Sequence, residues 1–133
     1  MRIILVRHGL SEANISRFYS LEDTVLHESG YSVLNNTKRN LEKYDIDQVY
    51  VSELKRSQQT AEILGFNDYI IDKRINELDF GDFKGKFFDD IKKEEIDFFE
   101  RQKEDLFNIK YPAGESINDV IKRTSEFFEE KSK

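Results

Sequence analysis

The chain has no cysteine and no tryptophan, a single proline (Pro112), and six glycines in 133 residues. Without cysteine there can be no disulfide framework and no thiolate metal site, which suits a reducing compartment. Long apolar runs are missing too. The longest near the start, Ile3–Val6, is four residues, against roughly 7–15 for a signal-peptide core and about 20 for a membrane helix. The sequence is therefore read as a cytoplasmic chain without a targeting segment, and its Asn-x-Ser/Thr triplets at Asn14 and Asn35 as chance matches. Acidic residues outnumber basic ones, 27 to 21. A net charge of −6 and a pI near 5.0 argue against nucleic acid and against an acidic membrane surface as partners. Any anion site must then be a local cationic pocket on an acidic body.

What the chain does contain is 38% apolar and 36% charged residues, with 11 Phe and 6 Tyr to fill a core. The length suits one domain over residues 1–133. Apolar runs at Ile3–Val6, Val49–Val51 and Tyr69–Ile71 read as strands, the first without alternation, as in a strand covered on both faces. Helical patterns fall between them, at about 29–44 and 53–64, with Ser52 as the expected N-cap of the second and Gly65 as its stop. A third helical region covers about 88–107. Ser116-Ile117-Asn118-Asp119 forms a capping box for a last helix with a strongly apolar face. This alternation predicts an α/β fold with a largely parallel sheet.

Three places carry candidate chemistry. Arg7-His8-Gly9 closes the first apolar run, at the carboxyl end of the predicted strand, where open α/β sheets bind ligands. Arg56 lies in the first turn of a predicted helix, a position that normally prefers acids, so a cation there adds to an anion-binding field. Glu77, flanked by Ile75 and Leu78 and next to a Gly- and Phe-rich loop, is a general-acid candidate if partly desolvated; Asp79 or Asp82 could take that role instead. Read alone, each is also compatible with an ordinary surface or strand-end residue.

Taken together and in order, the segments Leu5-Val6-Arg7-His8-Gly9-x-Ser11-x-x-Asn14, Ser52-x-Leu54-x-Arg56-x-x-x-Thr60-Ala61, Glu77-x-x-Phe80-Gly81-x-Phe83-x-Gly85 and Gly114-Glu115-Ser116 resemble the histidine phosphatase superfamily, the phosphoglycerate mutase-like enzymes. The loop after Glu77 is more similar to the phosphatase branch, including alpha-ribazole phosphatases, than to the glycolytic mutases. The resemblance implies a three-layer α/β/α fold and a phosphomonoester hydrolase working through a phosphohistidine at His8. Arg7, Arg56 and Asn14 would hold the phosphate, and Glu77 would be the general acid and base. It implies no metal and no cofactor, and a small-molecule phosphate ester as partner. The alternatives are a non-catalytic phosphate-binding or interaction domain, or a mutase that returns the phosphoryl group.

The sequence also departs from the family pattern. The family's second active-site histidine follows a strand after the Gly-Glu-Ser helix, and this sequence ends at Lys133 before such a strand. The expectation is a C-terminally truncated or shortened member, with impaired activity and self-association through the unpaired sheet region. His27 is read as a surface or cap residue rather than a substitute. Ser20 stands where glycine is usual, and Val33 and Leu34 where glutamine and alanine are usual.

Overall fold

The computed structural model describes all of residues 1–133. They cluster into two compact units, one of residues 1–15 and 22–73, the other of residues 16–21 and 74–133. In the first unit lie α2 (Tyr31–Leu41), β1 (Tyr50–Val51), α3 (Lys55–Ile63) and β2 (Ile70–Ile71), preceded by the short α1 (Glu12–Ser16). The second unit carries α4 (Phe88–Glu94), α5 (Ile96–Glu104) and α6 (Ile117–Lys131).

β1 and β2 pair in parallel, Tyr50 with Ile70 and Val51 with Ile71, and α3 makes the crossover that a parallel pair requires. Around this unit Leu26, Leu34, Leu41 and Leu64 form a buried cluster, with Tyr44, Ile46, Ile63 and Phe66 packed against it. Leu34 and Leu41 are one heptad apart on α2, so both face inward. Gly65 ends α3 with a φ of +92°, the left-handed conformation that glycine adopts without a Cβ penalty.

The expected strand at Ile3–Val6 does not form. Residues 1–7 belong to no ladder, and Leu5 is 80% exposed. Apolar periodicity reports which side chains would favour burial; a strand also needs a neighbouring backbone to accept its hydrogen bonds, and this segment pairs with none. Ser52 is not the N-cap of α3 either. Leu54 occupies that position, and Ser52 instead accepts the Leu54 N–H at 3.4 Å. The region expected as one helix at 88–107 is two, broken at Glu95, whose φ of −116° and ψ of 42° leave the helical range.

The second unit is held by aromatic rings. Tyr19, Phe83, Ile91 and Phe98 are its buried centre, flanked by Phe80, Phe99, Ile109 and Tyr111. Phe83 meets Phe98 at 5.2 Å and Tyr111 at 5.4 Å, both nearly edge to face, the geometry that opposes a ring's electron-rich face to another's edge. Burial and the neighbouring Tyr111 push the Tyr19 hydroxyl up to about 12. Ser116 caps α6 as the sequence predicts. It accepts the Asp119 N–H at 3.2 Å, and Asp119 accepts the Ser116 N–H at 2.9 Å.

Phe98 is 2% exposed within this cluster, so Phe98→Ala is expected to lower stability by about 3–5 kcal/mol through lost burial and the cavity left behind. Ile121, 47% exposed on α6, should tolerate alanine within about 0.5 kcal/mol. Urea unfolding midpoints of the two variants check the contrast.

Candidate active site

The Arg7-His8-Gly9 turn is fixed to α3 by one hydroxyl. The Gly9 N–H donates to Thr60 Oγ1 at 3.0 Å, and Thr60 Oγ1 donates to the Arg56 carbonyl at 2.7 Å. Arg56 and Thr60 are four residues apart and both buried, at 3% and 5% exposure, so one face of α3 presents both to the turn. On the other side Gly9 lies against α2. A Cβ there would fall 2.6 Å from Leu34 Cδ1, closer than carbon atoms approach, which accounts for glycine at this position.

His8 is half-buried, and its Nδ1 lies 2.6 Å from the Gly9 carbonyl oxygen. A carbonyl only accepts, so this contact selects the tautomer with the proton on Nδ1 and leaves the lone pair on Nε2. Asn14, in α1, has its Oδ1 occupied. It accepts from the Ser11 N–H at 3.0 Å and from the Ser11 hydroxyl at 2.9 Å, which turns the two Nδ2 donors outward.

Arg7, His8 and Asn14 share the wall of a groove of about 800 Å³. Val33 and Thr37 of α2 line it too, as does Lys43. No aspartate or glutamate lines it, although the chain carries 27 of them. Arg7 is exposed and makes no hydrogen bond or ion pair. The groove therefore concentrates positive charge on an acidic protein, where the field attracts anions. No group of three or more histidine, aspartate or glutamate side chains is placed to hold a metal ion, and no helix is long and apolar enough to cross a membrane.

Of the expected site residues, Arg7, His8 and Asn14 thus meet in one groove. Arg56 does not line it but is joined to the turn through Thr60. Glu77 lies in the second unit and is exposed, so the expected partial desolvation is absent. His27 is the cap residue the sequence suggests. Its Nδ1 accepts the Ser29 N–H at 3.1 Å at the start of a short 3₁₀ turn, Glu28–Gly30.

Two residues around Glu77 went unassigned in the sequence reading. Arg123, on α6, grips Glu115 with two parallel bonds, Nε to Oε2 at 2.9 Å and an Nη2 N–H to Oε1 at 3.0 Å. The same guanidinium donates to the Arg74 carbonyl at 2.7 Å and to the Glu77 carbonyl at 3.2 Å. Glu115 in turn accepts the Asp79 N–H on Oε1 at 2.9 Å, and its own N–H donates to the Asp79 carbonyl at 2.9 Å. Glycine is required nearby as well. Gly81 has a φ of +56°, and a Cβ on it would lie 2.0 Å from the Pro112 carbonyl oxygen. Glu115 precedes the Ser116 N-cap and Arg123 lies within α6, so no local sequence spacing marks the pair.

The chain is similar to known proteins over nearly its whole length. The profile of the histidine phosphatase superfamily (branch 1) matches residues 3–133. Phosphoserine phosphatase 1 of Hydrogenobacter thermophilus is 32% identical over 98% of this chain and 64% of its own length. A 2,3-bisphosphoglycerate-dependent phosphoglycerate mutase of Azorhizobium caulinodans is 30% identical over 95% of this chain and 66% of its own length. The crystal structure of the alpha-ribazole phosphatase from Shigella flexneri superposes with a TM-score of 0.85 at 27% identity, covering 96% of this chain and 65% of that one. The chain belongs to the histidine phosphatase superfamily and has the phosphoglycerate mutase-like α/β fold. It spans just under two thirds of the length of these relatives.

The Arg123 guanidinium, above all, holds the Glu115 carboxyl below its usual range, aided by the Asp79 N–H and opposed by burial. A carboxyl depressed in the folded state stabilises it fully above the unfolded value of about 4.3, and that contribution is lost as pH falls through the folded value. Glu115→Gln is therefore expected to reduce stability at neutral pH and to flatten the loss of stability below about pH 4.3. Thermal midpoints of both proteins across the acid range read this out.

Proposed function

We propose that the chain is a phosphomonoester hydrolase acting through a phosphohistidine on His8, on a small-molecule phosphate ester and without metal or cofactor. The observation that carries the reading is the groove itself. Its wall holds Arg7, His8, Asn14 and Lys43 and no carboxylate, and the His8 ring is set with Nδ1 against the Gly9 carbonyl. Membership of a superfamily whose named relatives include phosphatases supports it.

In this reading His8 Nε2 attacks phosphorus with its lone pair, and no external base is needed, since neutral imidazole is already nucleophilic. The P–O bond to the ester breaks. Its electron pair stays on the leaving oxygen, which takes a proton from Glu77. Arg7 and the Asn14 amide bind the phosphoryl oxygens, over which charge spreads in the transition state, while Arg56, buried on α3, adds its positive charge and is joined to the turn through Thr60. Water then attacks the phosphohistidine, the P–N bond breaks, and Glu77 takes the proton from that water. Inorganic phosphate leaves, and His8 is neutral again.

The exposure of Glu77 favours a second reading, a phosphate-binding domain that keeps the fold and the cations but does not turn over. A phosphoglycerate mutase among the relatives raises phosphoryl return as a third.

Hydrolysis of p-nitrophenyl phosphate in the presence of a chelator, compared between the protein and His8→Ala, decides among them. Turnover that falls by at least about a thousandfold in the variant is expected, since the nucleophile acts as a unit with its partners. A protein that is stabilised by inorganic phosphate yet releases no nitrophenol would instead be the binding domain.

A further inference from the structure

The second unit contains a device that the reaction scheme above does not use. Glu77 is exposed. Its backbone, in contrast, is clamped on both sides. Arg123 holds the carbonyls of Arg74 and Glu77, and Glu115 holds both the N–H and the carbonyl of Asp79. The clamp is itself one hydrogen-bonded body, because the same guanidinium carries Glu115 bidentately. Four N–H bonds leave Arg123 in this arrangement, of the five that a guanidinium can make.

The clamp is anchored rather than floating. Arg123 and Glu115 have side-chain exposures of only 18% and 25%. Ser116, next to Glu115, caps α6, and Arg123 stands two turns along that helix. The helix, its cap and the Glu77 segment are thereby a single rigid frame. Lysine could replace the charge of Arg123, but not its planar fork, which reaches a carboxylate and two carbonyls at once.

We propose that Arg123 and Glu115 are positioning residues for Glu77, setting the direction in which its carboxyl group delivers a proton to the leaving oxygen. The inference rests on the reading of Glu77 as general acid. A misplacement of about 1 Å in a catalytic group costs on the order of a hundredfold, so the frame has a function beyond stability.

Leaving-group dependence tests it. Phenyl phosphate releases a basic phenolate that needs a proton; dinitrophenyl phosphate releases one that does not. Loss of proton delivery slows the first ester and spares the second, whereas a general loss of folding slows both alike. In the folded protein Arg123→Lys and Glu115→Gln are expected to lower kcat for phenyl phosphate by about tenfold or more and for dinitrophenyl phosphate by less than about twofold. KM should stay nearly unchanged, since neither residue lines the phosphate groove. Glu77→Gln should show the same selectivity more strongly. Ser116→Ala, which weakens the α6 cap, should lower stability without changing the ratio of the two esters.

Equal losses on both esters in Arg123→Lys and Glu115→Gln, with Glu77→Gln still selective, would overturn the positioning role alone. A nonselective Glu77→Gln, or a protein that cleaves neither ester, would overturn the general-acid reading and the positioning role with it. The two carboxyl-frame variants report independently, so failure of one to fold leaves the other to decide.

Discussion

The hydrogen bond from the Gly9 amide to the Thr60 hydroxyl is the constraint around which the first unit is organised. Residues 1–7 have no ladder to locate them, so the Arg-His-Gly turn takes its position from α3. Thr60 does this as donor and acceptor together, since it also binds the Arg56 carbonyl four residues back. A hydroxyl bonded in this way lies flat on its own helix and offers its remaining lone pair in a fixed direction. The turn is pressed onto that hydroxyl from the other side by Leu34, with no Cβ on Gly9 to keep it away. Two helices and one small residue therefore set the place of His8.

The candidate site was legible in the sequence to the extent that it depends on residue type at fixed spacing. Arg7, His8 and Asn14 lie within eight residues of one another, and a single turn of chain brings them to the same groove. Gly65 and the Ser116 capping box were equally readable, because each is a local backbone requirement with a matching residue. Thr60 appeared in the motif without a role, since its partner at Gly9 is 51 positions away and nothing in local spacing reveals it.

The misreadings have a common cause. Ile3–Val6 has the composition of a covered strand, yet strand formation depends on a partner that composition does not specify. Ser52 has the right side chain for a cap, but the chain stays extended through Leu54 and the helix starts later. Glu77 sits between an isoleucine two positions before it and a leucine after it, which reads as an apolar setting. In the folded unit these neighbours are only half-buried and Glu77 is exposed. Its backbone carbonyl accepts from a guanidinium 46 residues further on, a relation visible only once α6 has packed.

The bare Ile3–Val6 segment has one more consequence, for colloidal behaviour. An exposed, proline-free run of β-forming residues is the kind of sequence that recruits copies of itself into intermolecular sheets. Here it is bracketed by Arg2 and Arg7. In an antiparallel encounter between two such segments, Arg2 of one would face Arg7 of the other, and in a parallel one like would stack on like. Arginines so placed act as gatekeepers. Arg7, which lines the groove beside His8, would then also keep neighbouring molecules apart.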